Sequence, residues 1–283
     1  MKTLNFKLFM FLAIGSLFVT SCQKSDGVVT TNPITEAETI ALVESDDVTD
    51  DVNNIIDDYL IENEGMSARS TEDSKYNPLL TCATRTIVVT DTTKVVTLDF
   101  GEGCELPNGN IISGKIIMSY TVDTSVASFT VTYTFENFYF NDLSVEGENT
   151  LVRVRENENG NPQSTLTMDI KVTWPDGEFA SKQGTKVREW IEGFETRDWS
   201  DNVFLITGNW AVTFKDGTVV SANITTPLRR EMACRFIVSG VVELQKIQTL
   251  GTLDFGDGTC DDVATFTDEN GVVTEITLRG RMF

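Results

Sequence analysis

From about Cys82 to the end of the chain, apolar and polar residues alternate with a period of two, and no useful length of helical pattern interrupts them. Phe129, Val131, Tyr133 and Phe135 alternate with Ser and Thr. Leu166, Met168, Ile170, Val172 and Trp174 repeat the pattern, as do Phe204, Ile206, Trp210, Val212 and Phe214, with Gly208 in register. Val220, Ala222 and Ile224 form a further set, and Thr274, Ile276 and Leu278 the last. Successive side chains of a strand point to opposite faces, so each run reads as a strand with one buried and one wet face. That pattern favours antiparallel sheet, because parallel strands are covered on both faces.

The punctuation agrees. Asn-Gly stands at 108–109, 159–160 and 270–271, and Asp-Gly at 176–177 and 216–217. These residues tolerate the positive φ of tight hairpin turns. A weaker repeat places glycine inside strand-like segments, at Gly114, Gly147, Gly208, Gly240 and Gly280. Mid-strand glycine costs stability, so its recurrence predicts bends or bulges that curl the sheet. The expected fold of residues 80–283 is all-β. It is an antiparallel meander of about a dozen or more strands, forming a curved sheet, a half-barrel or a sandwich.

One acidic, glycine-rich phrase is written twice, as TLDFGEGCEL from Thr97 and as TLDFGDGTCDD from Thr252. An EF-hand loop needs oxygen side chains at its third and fifth positions and Glu at the twelfth. Counted from Asp254, those positions hold Gly256, Gly258 and Thr265, so the pattern fails. An irregular calcium site using Asp254, Asp257 and Asp261 is the alternative, which would make the protein a calcium-dependent binding module. The preferred reading is a structural corner that ends a strand, turns on glycine and presents a cysteine. Cys82 and Cys104 bracket a turn near position 93, and Cys234 and Cys260 bracket one near 247. Four cysteines allow three pairings. The symmetry of the two copies selects Cys82 with Cys104 and Cys234 with Cys260, each stapling the open end of a hairpin.

The chain has no histidine, which excludes Ser-His-Asp and Cys-His nucleophiles and any imidazole-ligated metal. Its net charge of −21 argues against nucleic acid as a partner and against attachment to anionic lipid by charge alone. No cofactor and no metal are expected.

The N-terminus reads as an address. Lys2 and Lys7 precede an apolar run from Leu8 to Val19, too short to span a bilayer and suited to a signal-peptide core. Val19-Thr20-Ser21-Cys22 resembles the bacterial lipobox, so residues 1–21 are expected to be removed and Cys22 to be lipidated. Lipidation leaves an even four cysteines for pairing. The acyl chains of such a cysteine suffice for stable anchoring, so the membrane is the first expected partner. Gln23-Lys24-Ser25-Asp26 is similar to the surface-export signal of Bacteroidota lipoproteins, which implies display on the outer membrane. Residues 22–44 read as a flexible stalk reaching roughly 70 Å when extended. Residues 45–65 read as an acidic amphipathic helix, N-capped by Ser45 and stopped at Gly65. Val48, Val52, Ile55 and Tyr59, widened by Ile56 and Leu60, form its apolar stripe. It is either a partner-binding or cation-collecting helix or, preferably, a solvated one whose stripe packs on the main body.

The segments TTKVVTLDFGEGC, NGNIISGKIIMSYT, FENFYFNDLSVEGENT, ITTPLRREMACRFIVSGVVEL and TLDFGDGTCDD, in that order, resemble a group of β-rich Bacteroidota lipoproteins. The resemblance spans residues 82–283 and implies an exported β-rich body behind a lipobox. It carries over no catalytic, ligand or metal residue.

The expected function is a lipid-anchored envelope protein without catalysis, which binds a glycan or an envelope protein or serves structurally. Trp174 and Trp199 lie near loops, where they stack on sugars or pin the loops to the core. Arg229 and Arg230 either grip an anion or are solvated strand positions. The rival is a glycan-active enzyme built on Glu189, Glu192, Glu195, Asp198 and Asp201, which would need two carboxyls about 5–9 Å apart in a cleft.

Overall fold

In a computed structural model, residues 32–63, 82–106, 109–121, 128–196 and 198–278 are described. A helix, α1 (Glu36–Asn63), precedes fourteen strands. These are β1 (Thr84–Val89), β2 (Thr93–Asp99), β3 (Cys104–Glu105), β4 (Ile111–Thr121), β5 (Ser128–Phe140), β6 (Leu143–Val154) and β7 (Gln163–Thr173). There follow β8 (Phe179–Glu192), β9 (Val203–Phe214), β10 (Val219–Glu231), β11 (Ile237–Lys246), β12 (Thr249–Asp257), β13 (Val263–Thr267) and β14 (Val273–Thr277). All belong to one open antiparallel sheet in chain order, with the short β3 paired only to β4. The fold is therefore all-β and meander-like, as the alternation predicts. The strands form one continuous, open sheet that does not close into a barrel.

The hairpins close on a shared device. At the β7–β8 turn the Gly177 N–H donates to the Trp174 carbonyl at 3.0 Å and the Trp174 N–H donates to the Glu178 carbonyl at 2.9 Å. The β9–β10 turn repeats this with Phe214, Gly217 and Thr218. This is a type I turn followed by a left-handed residue. The two glycines take that position, with φ of 82° and 85°. The preceding aspartates, Asp176 and Asp216, each accept from the backbone N–H two residues on.

Mid-strand glycine does a different job. Gly147 and Gly208 have φ of 125° and 132°, and a Cβ there would collide with the carbonyls of Asp169 and Thr185 on the neighbouring strands. Only a residue without a side chain lets the backbones approach so closely. Register shifts lie beside several such points, as between Ser113 and Lys115 around Gly114 and between Ser239 and Val241 around Gly240. Gly280 and Phe129's side chain lie outside the described residues.

The curled sheet encloses α1. Val48, Ile55, Ile56, Tyr59 and Leu60 are fully buried, and so are the polar Ser45, Thr49 and Asp51 on other sides of the helix. Contacts reach it from β1, where the Arg85 guanidinium lies 6.0 Å from the Tyr59 ring centre, and from the end of β11, where Lys246 Nζ is 2.7 Å from Glu38. The expected apolar stripe is present. The expected solvated polar face is not: Asp46, Asp47, Asp51 and Asp57 are buried with it.

The helix also begins at Glu36, inside the segment read as stalk, and Ser45 is not its cap. Thr35 and Glu38 form a capping box: the Glu38 N–H donates to Thr35 Oγ1 at 3.1 Å and the Thr35 N–H to Glu38 Oε2 at 2.8 Å. Ser45 instead donates to the Leu42 carbonyl from within the helix. Gly65 lies outside the described residues.

Both cysteine pairs join as their spacing predicts. Cys82 with Cys104 and Cys234 with Cys260 are bonded, each with Cα atoms 5.8 Å apart. The first ties the start of β1 to β3, and the second ties the approach to β11 to the exit of β12. Peptide mapping under non-reducing conditions should recover these two linkages and no peptide joining Cys82 or Cys104 to Cys234 or Cys260. Removing either bridge by paired Cys→Ser substitution should destabilise the fold by about 2–5 kcal/mol in denaturant melts.

Candidate functional site

The most unusual chemistry is the ionic seam between α1 and β8. Inward-facing positions of β8 hold Ala180, Lys182, Lys186, Arg188 and Trp190, all buried. The strand thus presents three cations to the interior. On α1, Asp46, Asp50, Asn54 and Asp57 follow helical spacing and share one face. Lys182 pairs with Asp46, and Lys186 Nζ lies 2.8 Å from both Asp46 and Asp50. Arg188 donates from Nη1 to Asn54 at 2.5 Å. Arg153, from β6, donates to Asp57 at 2.7 Å, with Ser164 and Arg188 each at 3.4 Å. The order of partners shows that helix and strand run in the same direction. Their spans match: eleven helical residues rise about 16 Å and six strand residues about 20 Å.

The cations also face aromatic rings. Lys182 and Lys186 lie 4.7 and 4.8 Å from the centre of the Trp210 ring, and Arg188 lies 3.7 Å from that of Phe204. Ring faces attract cations, which offsets part of their lost hydration. Burial nevertheless dominates at Lys182, whose pKa falls from 10.5 to about 8 despite the pull of Asp46.

The seam encloses little space. One cavity of about 20 Å³ is bounded by Asp50, Asn53, Asn54, Lys186 and Arg188, and another of about 10 Å³ by Asp57, Arg153, Ser164 and Trp190. Each is water-sized at most. The arrangement holds the helix and leaves no room for a substrate within it.

A larger hollow lies on the opposite face of the sheet. Side chains alternate along each strand, so Gln183 on β8 and Asn209 on β9 point away from the seam. A depression of about 290 Å³ there is lined by Gln183, Asn209, Ala211, Ser221, Asn223, Glu243 and Gln245, with the buried Trp210 and Ala222 beneath them.

Residues singled out in the sequence are dispersed. In the duplicated phrase, Asp99 accepts from the Gly101 N–H and Asp254 from the Gly256 N–H, both at 2.9 Å. The two copies share this aspartate-to-glycine bond, but the first ends its strand at Asp99, whereas the second continues in β12 through a bulge to Asp257. Asp257 and Asp261 likewise accept from the N–H groups of Thr259 and Val263. Bonds from Thr259 hold the Asp257 carboxyl below its ordinary range. Among the described residues no group of three or more Cys, Asp or Glu is placed to hold a metal ion.

Four of the five carboxylates around 189–201 have a local role. Glu189 accepts from the side-chain amides of Asn157, Asn159 and Asn161 at 2.8 to 2.9 Å, which lowers its pKa and fastens the β6–β7 turn. Glu192 pairs with Arg229 at 3.3 Å. Asp198 accepts from Ser200 and Asp201 from Thr196, while Glu195 is exposed. None of the five borders the cavities above.

Trp174 donates to Glu44 at 2.9 Å and so pins a turn to α1; the Trp199 side chain lies outside the described residues. Arg229 is a partly exposed strand position as read, but Arg230 is buried and not solvated. It donates to the carbonyls of Glu231, Cys234 and Phe236, and so folds the turn before β11 around itself. The lipobox, Cys22 and the leader lie outside the described residues.

Sequence reasoning missed the seam. The available signal was the run Ala180, Lys182, Lys186, Arg188, Trp190, in which cations occupy the parity of buried residues. No family model matches the chain, and no curated protein and no solved structure matches it.

The depressed pKa of Lys182 fixes a sign. Between about pH 8 and 10.5 the folded protein has released this proton while the unfolded chain retains it, so stability rises with pH in that window. Below about pH 8 the buried charge is carried in full. Unfolding free energies of the native protein minus those of Lys182→Met should therefore increase from pH 8 to 10, at up to about 1.4 kcal/mol per pH unit. Subtraction also removes the opposite alkaline slope of Tyr133, whose phenol pKa burial raises.

Proposed function

We propose that the protein is a lipid-anchored envelope protein, attached to the outer membrane through Cys22, displayed at the surface, and serving a non-catalytic binding or structural role. The observation that carries the reading is that α1 fills the concave interior of the sheet. The enclosed cavities are water-sized, which favours contact with other molecules through the outer face and loops. Two disulfides suit an oxidising compartment, where small stretches of secreted chain are stapled in this way. The resemblance to β-rich Bacteroidota lipoproteins points the same way.

Only thirteen residues separate Cys22 from Glu36, so the lipid and the buried helix are close neighbours in the chain.

Replacing Cys22 by Ala should abolish incorporation of radiolabelled fatty acid and move the protein from the membrane to the soluble fraction. Unchanged fractionation of that variant would refute the anchor.

A further inference from the structure

We propose that the hollow on the outer face of β8 to β11 is a subsite for a neutral, polyhydroxylated ligand, a sugar ring of a glycan chain. This rests on the binding reading above and names the class of ligand.

Register assembles the site. Asn209 on β9 faces Asn223 on β10, which faces Glu243 on β11. A second row runs Gln183, Ala211, Ser221, Gln245. Directly opposed residues on one face have Cβ atoms about 5 Å apart, so each row is a continuous ladder. The small Ala211 and Ser221 sink the middle of the second row, and longer amides rise at its ends.

The hydrogen-bonding capacity is largely unspent. Gln183 donates its amide to Asp169 and Gln245 to the Ile247 carbonyl. Asn209, Asn223 and Glu243 make no side-chain hydrogen bond to the described residues. Each side-chain amide can donate and accept at once, which is what vicinal hydroxyls require.

Charge and size narrow the class. Lys182 and Lys186 point to the other face and are buried, while Glu243 faces the hollow. An anion would therefore meet a carboxylate in a chain of net charge −21. About 290 Å³ lies at the small end of the range for ligand pockets and suits one small ring better than a peptide segment. The Trp210 ring is buried beneath the sheet, so binding relies on hydrogen bonds and should be weak, with Kd of about 1 mM.

The test uses purified full-length protein in a non-glycosidic detergent and saturation-transfer NMR. The probes are neutral oligosaccharides of glucose, mannose and xylose, one uronic-acid oligosaccharide, and calcium chloride. A neutral oligosaccharide should bind. Asn209→Ala and Asn223→Ala should each weaken it about three- to tenfold, the effect of one hydrogen bond. Ser221→Leu, which fills the floor, should abolish binding, and Thr167→Ala, on the outer face of β7, should leave it unchanged. The proposal is overturned if no neutral probe binds, if only the uronic-acid probe or calcium binds, or if binding survives all three site substitutions. Failure here leaves the anchor intact, since Cys22→Ala is read by membrane fractionation.

Discussion

An acidic helix can lie inside a sheet only if the sheet supplies its counterions. Removing a carboxylate from water costs several kcal/mol, and at Asp46, Asp50 and Asp57 the penalty is met by close ion pairs and hydrogen bonds. Asp46, Asp50 and Asp57 obtain these partners from Lys182, Lys186, Arg188 and Arg153. Such a seam adds little stability over an apolar interface. Its effect is selectivity: sliding α1 by one turn would leave buried charges unmatched. The register of α1 against β8 is therefore fixed by electrostatics, and the apolar residues around it supply the bulk of the burial.

Much else serves that arrangement. Fourteen strands can surround one helix only if the sheet curls, and close backbone approaches at Gly147 and Gly208 supply part of the curl. The far ends of the sheet cannot brace one another as a closed barrel's would. A disulfide lies near each end instead, one at β1 and β3, the other at β11 and β12. Tryptophans sit where sheet meets helix: Trp174 bonds Glu44, and Trp210 lies beside two ammonium groups.

The strands were legible because their alternation is local and nearly unbroken, and the cysteine pairs because each brackets its own turn. The apolar stripe of α1 was legible for the same reason. Its start was not, since the capping box at Thr35 and Glu38 lies in a Thr-rich stretch that resembles a tether. The burial of its polar face is not legible, because surface acids are the ordinary case and only the partner strand reveals the exception. Lys182 and Lys186 look like outward strand residues until parity with Ala180 and Trp190 is counted. The hollow around Asn223 depends on register across four strands, which no short stretch of sequence encodes.

The helix α1 belongs to the folded core and is not an appendage. Amide hydrogen exchange along the chain tests it directly, since protection reports the opening that frees each amide. Residues 45–57 should exchange as slowly as the middle of β7, β8 and β9, through global unfolding. Exchange of those helix amides as fast as the exposed β7–β8 turn, with the sheet still protected, would contradict it.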